Sequence, residues 1–377
     1  MKDMNNVKNN FIFMGLFLIT LQSFYFPIVG PALTFIGYVI VVAIGFAENK
    51  IDKKLVNITS VFLILLSIHL VLTIGDYGTK DLFSLLSLVV MIIGLPVVKP
   101  LFSENEKSIE RAIKYILIIH VTVLFSQVIF WLVTHRYLDV LEYLVGIKSG
   151  SMSQKGIVAF GVRVPRFSAL FNEPGTYCIT VMPLVFLYYS LKKKLDGIVF
   201  LSSISCLITM SMFGVVLVSL FFCIVILYNR KLRVHMLLIS IFSVLIFSSF
   251  GGMDAVINRF SADSDYSGLG FRESMLDYYF SNGSHLIFGI RIDELPEFFV
   301  PNDIGLWFSF LVSYGGVAVV ILLFCYIYLY SESRRVESLL LITLVVMTKL
   351  KYTYPLFWVL VVMLSVIKGE DRHESSS

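Results

Sequence analysis

Charge is scarce in this chain. Asp, Glu, Lys and Arg together make up 15% of 377 residues, against roughly 25% in a soluble domain. Cysteine is nearly absent too: Cys178, Cys206, Cys223 and Cys325 all fall inside apolar runs, which argues against a disulfide framework and a thiolate metal site. No histidine pair stands at metal-ligand spacing with a carboxylate, so no metal is expected. Gly268-Leu269-Gly270 has no lysine after it and no strand pattern before it, so no nucleotide loop is indicated. There is no internal repeat, and the one low-complexity stretch is the polar tail GEDRHESSS at 369–377, which reads as a frayed end. No cofactor and no nucleic-acid partner are expected.

Apolar residues are what the chain has in abundance. They make up 57% of it, with 33 Phe and a mean hydropathy of +0.85. Continuous runs of about 20 apolar residues recur, each long enough to cross a hydrocarbon core. Inside lipid the backbone must satisfy itself, which leaves helices or closed barrels, and continuous rather than alternating runs select helices. The expected fold is therefore all-α, a polytopic transmembrane bundle forming one integral membrane domain over residues 1–377. Spans are expected near 11–27, 31–47, 56–74, 82–98, 112–133, 175–191, 197–210, 213–228, 234–250, 305–330, 336–348 and 354–367, about twelve in all with ends uncertain by a few residues. The basic-then-apolar start resembles a signal peptide but lacks a small-residue cleavage site, so it is read as a retained first helix. The stretch 197–228 is too long for one upright helix and short for two, which favours two short or re-entrant helices turning near Ser211–Gly214.

Lysine and arginine placement sets the expected orientation. With Lys2 and Lys8 inside, 19 of the 30 basic residues fall in cytoplasmic connections and tails. Both termini are then cytoplasmic. Two long segments, 134–174 and 251–304, lie on the opposite side, and loops of that length are usually functional or disordered. Their aromatics, Gly, Pro and mixed charges are not a disordered composition. Within the second, Phe271, Met275, Leu276, Tyr279 and Phe280 share one helical face. Such a face suits a helix lying on the membrane or one packing on the bundle.

The residues left with chemistry to offer are Arg163, Arg166, Glu173, Arg272, Arg291, Asn302 and Asp303, with Arg259 less firmly among them. All lie on one side, near span ends. Guanidinium forks next to apolar helices suit a lipid-linked phosphate, with arginines on the headgroup and helices beside the tail. Cationic charge would also stabilise a departing diphosphate, and Glu173 is the nearby group able to move a proton. His69 and His120 lie within spans and read as packing residues; His135 and His285, on the outer side, are minor candidates. Asp263-Ser-Asp265 mimics a cation-holding pair but sits among Ser and Gly, where a solvated turn is the better reading.

The segment Arg166-Phe-Ser-Ala-Leu-Phe-Asn-Glu173-Pro174-Gly175 resembles the R-x-x-G-x-F-x-E-P signature of bacterial O-antigen and capsule repeat-unit polymerases, with Ala169 where that signature usually has Gly. Arg272, the stretch 280–290, Pro301-Asn302-Asp303 and Ser313-Tyr-Gly-Gly316 look like the second loop and ending of the same superfamily, which includes the O-antigen ligases. The resemblance implies a metal-independent inner-membrane glycosyltransferase with two large periplasmic loops. It would move a growing glycan from undecaprenyl diphosphate onto a lipid-linked repeat unit, alongside a chain-length regulator protein. Arg163, Arg166, Arg272, Arg291 and Asn302 would bind the diphosphate or glycan, and Glu173 or Asp303 would be the base. Ligation of the finished glycan, or flipping of a lipid-linked oligosaccharide, are the alternatives.

Overall fold

A computed structural model describes residues 2–21, 29–73, 78–145, 157–159, 162–228, 268–291, 295–296 and 301–367. The expected span 234–250, Arg259 and Asp263–Asp265 lie outside the described residues. The helices are α1 (Lys2–Thr20), α2 (Val29–Ala47), α3 (Lys53–Thr73), α4 (Thr79–Glu104), α5 (Glu106–Thr134) and α6 (Val140–Val145), then a two-stranded ribbon of β1 (Ile157–Ala159) and β2 (Val162–Val164). After it come α7 (Pro174–Lys192), α8 (Gly197–Ile208), α9 (Met212–Tyr228), α10 (Gly268–Phe280) and α11 (Gly283–Phe288). A 3-10 turn at Pro301–Asp303 leads to α12 (Leu306–Tyr314), α13 (Gly316–Ser333), α14 (Val336–Val346) and α15 (Pro355–Val366). Among the described residues the fold is helical apart from the ribbon, and six helices, α2, α3, α4, α5, α7 and α13, are long and apolar enough to cross a membrane.

Burial separates these helices into an inner and an outer set. About a third of the most apolar stretch of α2, α3, α5 and α13 is buried, against 83% of that of α7. Val71, Leu72, Phe83 and Val133 point their apolar side chains outward, whereas α7 and α15 are covered on nearly every side. A helix that is apolar all round belongs in the centre of a bundle. The two central helices are therefore α7 and α15, and α7 begins immediately after Glu173.

Polar groups close one end of the bundle. Pro100 lacks an N–H, so the carbonyl of Pro96 four residues earlier in α4 loses its helical donor. The N–H of Asp52 takes that place at 3.0 Å. Lys99 beside it bonds Asp52 at 2.7 Å and Glu332 at 2.6 Å, and Lys54 also reaches Glu332 at 2.5 Å. Lys50 meets Glu104, Lys193 meets Glu337 and Lys8 meets Glu48. These pairs tie the start of α3 to the ends of α4 and α13, the end of α2 to α1, the α2–α3 connection to the end of α4, and the end of α7 to the start of α14.

One expectation needs correction. The expected span 305–330 is two helices, because Gly315 adopts a left-handed φ of 52° that breaks the run. A Cβ at Gly315 would stand 2.4 Å from the Ile287 carbonyl, so the break seats α11 against the joint. Only α13 is long enough to cross; α12 has nine residues, about 13 Å of rise. Part of the first long segment is packed into the bundle. Phe167, Ala169, Leu170 and Phe171 are buried in the main core, where the Phe167 and Phe171 rings meet Trp131, Tyr137, His120 and Tyr177. The two short helices expected over 197–228 are present as α8 and α9, with the turn at 209–211. In α10, Met275 and Tyr279 pack fully against Phe308, Val312 and Ile290, while Phe280 stays exposed.

Candidate functional site

The segment between β2 and α7 is clamped by aromatic and amide contacts. Phe167 meets Trp131 edge-on at 6.2 Å and lies near-parallel to Tyr137 at 6.4 Å; Phe171 meets His120 and Tyr177 at 5.4 and 5.9 Å. Gln127 on α5 receives the Ala169 N–H at 2.8 Å and donates to the carbonyls of Leu138 and Ala169 at 3.0 and 3.4 Å. The Tyr137 and Ser168 hydroxyls lie 3.2 Å apart. Arg166, one residue before Phe167, is buried. The chain then emerges at Glu173, which is exposed and extended (φ −137°, ψ 144°) as the N-cap of α7. Pro174 at the first helical position fits because its missing N–H would be unpaired there anyway. The Glu173 side chain makes no cap bond, while its carbonyl accepts the N–H groups of Thr176 and Tyr177.

A second carboxylate stands close to this tip. A Cβ on Gly175 would lie 3.5 Å from Ser211 Oγ and 3.8 Å from the Phe213 ring, so the α8–α9 turn abuts the start of α7. Lys349 Nζ stands 5.7 Å from the centroid of Phe213, and the same ammonium pairs with Asp303 at 2.5 Å. Leu306 N–H donates to the Thr348 carbonyl at 2.6 Å, which fixes the start of α12 on the 347–354 connection. Asp303 and the Glu173 turn are thereby linked through Lys349 and Phe213. Nearby, Lys351 lies 5.5 Å from the Tyr354 ring, and burial pushes its pKa below the usual lysine value. The two central helices, α7 and α15, both start at this end, and helix N-termini carry partial positive charge.

Of the other expected site residues, Arg163 lies on β2, paired in register with Val158. Arg272 lies in the first half of α10 and Asn302 in the 3-10 turn beside Asp303; the side chains of these three are outside what is described. Arg291 is at a different place. It lines a cavity of about 300 Å³ with Asp81, Ser84, His285, Ser313 and Tyr314, at the far end of α12 from Asp303. The structure thus brings the Glu173 turn and Asp303 together, with Arg166 buried seven residues before Glu173, and sets Arg291 apart. Lys349, Lys351, Gln127 and Asp81 were not singled out from sequence. The available signal was Lys-Leu-Lys between two apolar runs, and a lone Gln inside a span.

Among the described residues no three of His, Cys, Asp and Glu gather as a metal-ion set. Comparison of the chain with protein families, with curated proteins and with solved structures finds no match.

Proposed function

We propose that the chain is a repeat-unit polymerase of the O-antigen or capsule type, a multi-pass protein of the bacterial inner membrane. It crosses about twelve times, has both termini cytoplasmic, and exposes 134–174 and 251–304 to the periplasm. The observation that carries this reading is the position of Glu173-Pro174: the most distinctive part of the resemblance caps the central helix α7, beside Asp303 and Lys349.

The donor is a glycan on undecaprenyl diphosphate, and the acceptor is a lipid-linked repeat unit. Arg166, Lys349 and Lys351, with Arg163, Arg272 and Asn302 supplied by the two segments, hold the diphosphate; the starts of α7 and α15 add partial positive charge. The acceptor hydroxyl attacks the anomeric carbon while the bond from that carbon to the phosphate oxygen breaks. The electron pair leaves on the diphosphate, and the hydroxyl proton passes to a carboxylate. Glu173, exposed and making no cap bond, is the base. Asp303 holds the Lys349 ammonium toward the leaving group. Donors placed before the charge develops are what lower such a barrier.

A flippase is the second reading, favoured by the short apolar helices α8 and α14 and the lysine-bearing break between α14 and α15. Broken helices around a polar centre also occur in transporters. Ligation is the third. The test is the glycan ladder of a deletion strain complemented with wild type, Arg166→Ala or Glu173→Ala, with membrane abundance checked by immunoblot. Loss of long chains with single repeat units still delivered marks a polymerase. Absence of any surface repeat unit points to flipping or ligation, and an unchanged ladder in the deletion sinks all three.

A further inference from the structure

The cavity holding Arg291 has a chemistry of its own. Its walls come from the outer parts of α3 and α4, from α11 and the Gly289–Arg291 turn, and from the last turn of α12. This architecture is built rather than incidental. The Ile290 N–H donates to the Val312 carbonyl at 2.6 Å, and Tyr352 donates to Ser313 Oγ at 2.7 Å while standing 2.9 Å from Ser84 Oγ. A Cβ on Gly289, whose φ is +81°, would come within 2.6 Å of the Val312 carbonyl.

We propose that this cavity is a carbohydrate subsite taking one neutral, polyhydroxylated pyranose ring. Asp81 and Arg291 contribute opposite charges, so the lining has no strong preference for an ion of either sign. Serine and tyrosine hydroxyls both donate and accept, which matches vicinal sugar hydroxyls that do the same. His285 Nδ1 is buried without a hydrogen-bond partner, and buried polar atoms left unpaired are costly unless something satisfies them. A sugar hydroxyl would. A diphosphate would have to face Asp81, and a prenyl tail would lie against polar walls. At about 300 Å³ the space is at the small end of ligand pockets, enough for a single ring. It lies one length of α12, about 13 Å, from the Asp303–Lys349 pair. Resting on the polymerase reading, the ring it takes is a sugar of the bound glycan remote from the reacting bond.

The test is saturation-transfer NMR on the full chain in lipid nanodiscs, with methyl glycosides of glucose, galactose, mannose and N-acetylglucosamine, and with inorganic phosphate as the anionic comparison. At least one glycoside is expected to give signal that falls tenfold or more in Asp81→Asn and in Ser284→Trp, which fills the mouth from an exposed position. If Asp81→Asn is poorly folded by gel filtration, Ser284→Trp alone decides. No signal from any glycoside, signal unchanged in Ser284→Trp, or signal from phosphate only would each overturn the proposal. The glycan ladder reports separately: binding with a normal ladder in the deletion strain keeps the subsite and removes the polymerase, and the reverse removes only the subsite.

Discussion

Gln127 grips residue 169 by both ends of its side-chain amide, receiving the Ala169 N–H at 2.8 Å and donating to the Ala169 carbonyl at 3.4 Å. Residue 169 has a φ of +52°. A left-handed conformation costs a residue with a Cβ roughly 1–2 kcal/mol, and glycine avoids that cost. The R-x-x-G-x-F-x-E-P pattern therefore has a backbone reason for Gly at this place, and the Gln127 bonds help Ala169 hold the same shape.

Ala169→Gly is accordingly expected to stabilise the chain by about 1 kcal/mol and to leave the ladder intact. Gln127→Leu should cost about 2 kcal/mol, since it leaves buried backbone groups unpaired. Thermal unfolding in detergent measures both. A lower melting temperature for Ala169→Gly would contradict the account.

Lys349 and Asp303 should behave as one unit. Each single alanine variant is expected to cut long-chain glycan strongly, and the double variant to be no worse than the more damaging single one. Simple multiplication of the two defects would show that the pair does not act together. Glu173→Gln, which keeps shape and removes basicity, should abolish long chains at normal membrane abundance.

Lys351 carries a charge that burial disfavours, so its folded pKa lies below 10.5. The unfolded chain then binds this proton more readily, and stability contributed here falls as pH drops from about 10.5 through the folded pKa. Lys351→Met should raise the melting temperature at pH 8 and still impair polymerisation. A lower melting temperature would mean the ammonium stabilises the fold.

For Asp52, burial alone would raise the pKa, but the bonds from Lys99 and the Leu55 N–H outweigh it and the net shift is downward from 3.8. Its contribution is present above about pH 4 and lost as pH falls through the lower, folded value. Asp52→Asn should cost about 2 kcal/mol near neutral pH, and the difference from wild type should shrink on acidification. A gap constant between pH 7 and pH 3 would rule this out.

Helix positions were legible because long apolar runs have few other solutions: α2, α7 and α9 begin and end within two residues of the expected limits. The break at Gly315 was not legible, since Tyr314-Gly-Gly316 inside an apolar run does not announce a left-handed turn. Burial of Phe167 and Phe171 was hidden for a different reason. Their partners, Trp131, Tyr137 and His120, come from residues whose proximity only the packed bundle establishes. Arg166 and Glu173 were visible through local pattern. Asp303 was visible as well, but its partner Lys349 was not, because the pair is 46 residues apart and the lysine entered only as a topological charge.

Most of the described ion pairs crowd one end of the bundle, while the Arg291 cavity and the lysine-bearing connection lie toward the other. That asymmetry gives the molecule a fulcrum. With Lys99 holding Asp52 and Glu332, α3, α4 and α13 share a pivot at their joined ends, so a small rotation there becomes a larger displacement at the far tips. The far tips of α3 and α4, which line the Arg291 cavity through Thr73 and Asp81, lie where that leverage is greatest. Loosening the knot at Lys99 would therefore change the spacing of the walls of the Arg291 cavity, with every residue around Glu173 left as it is.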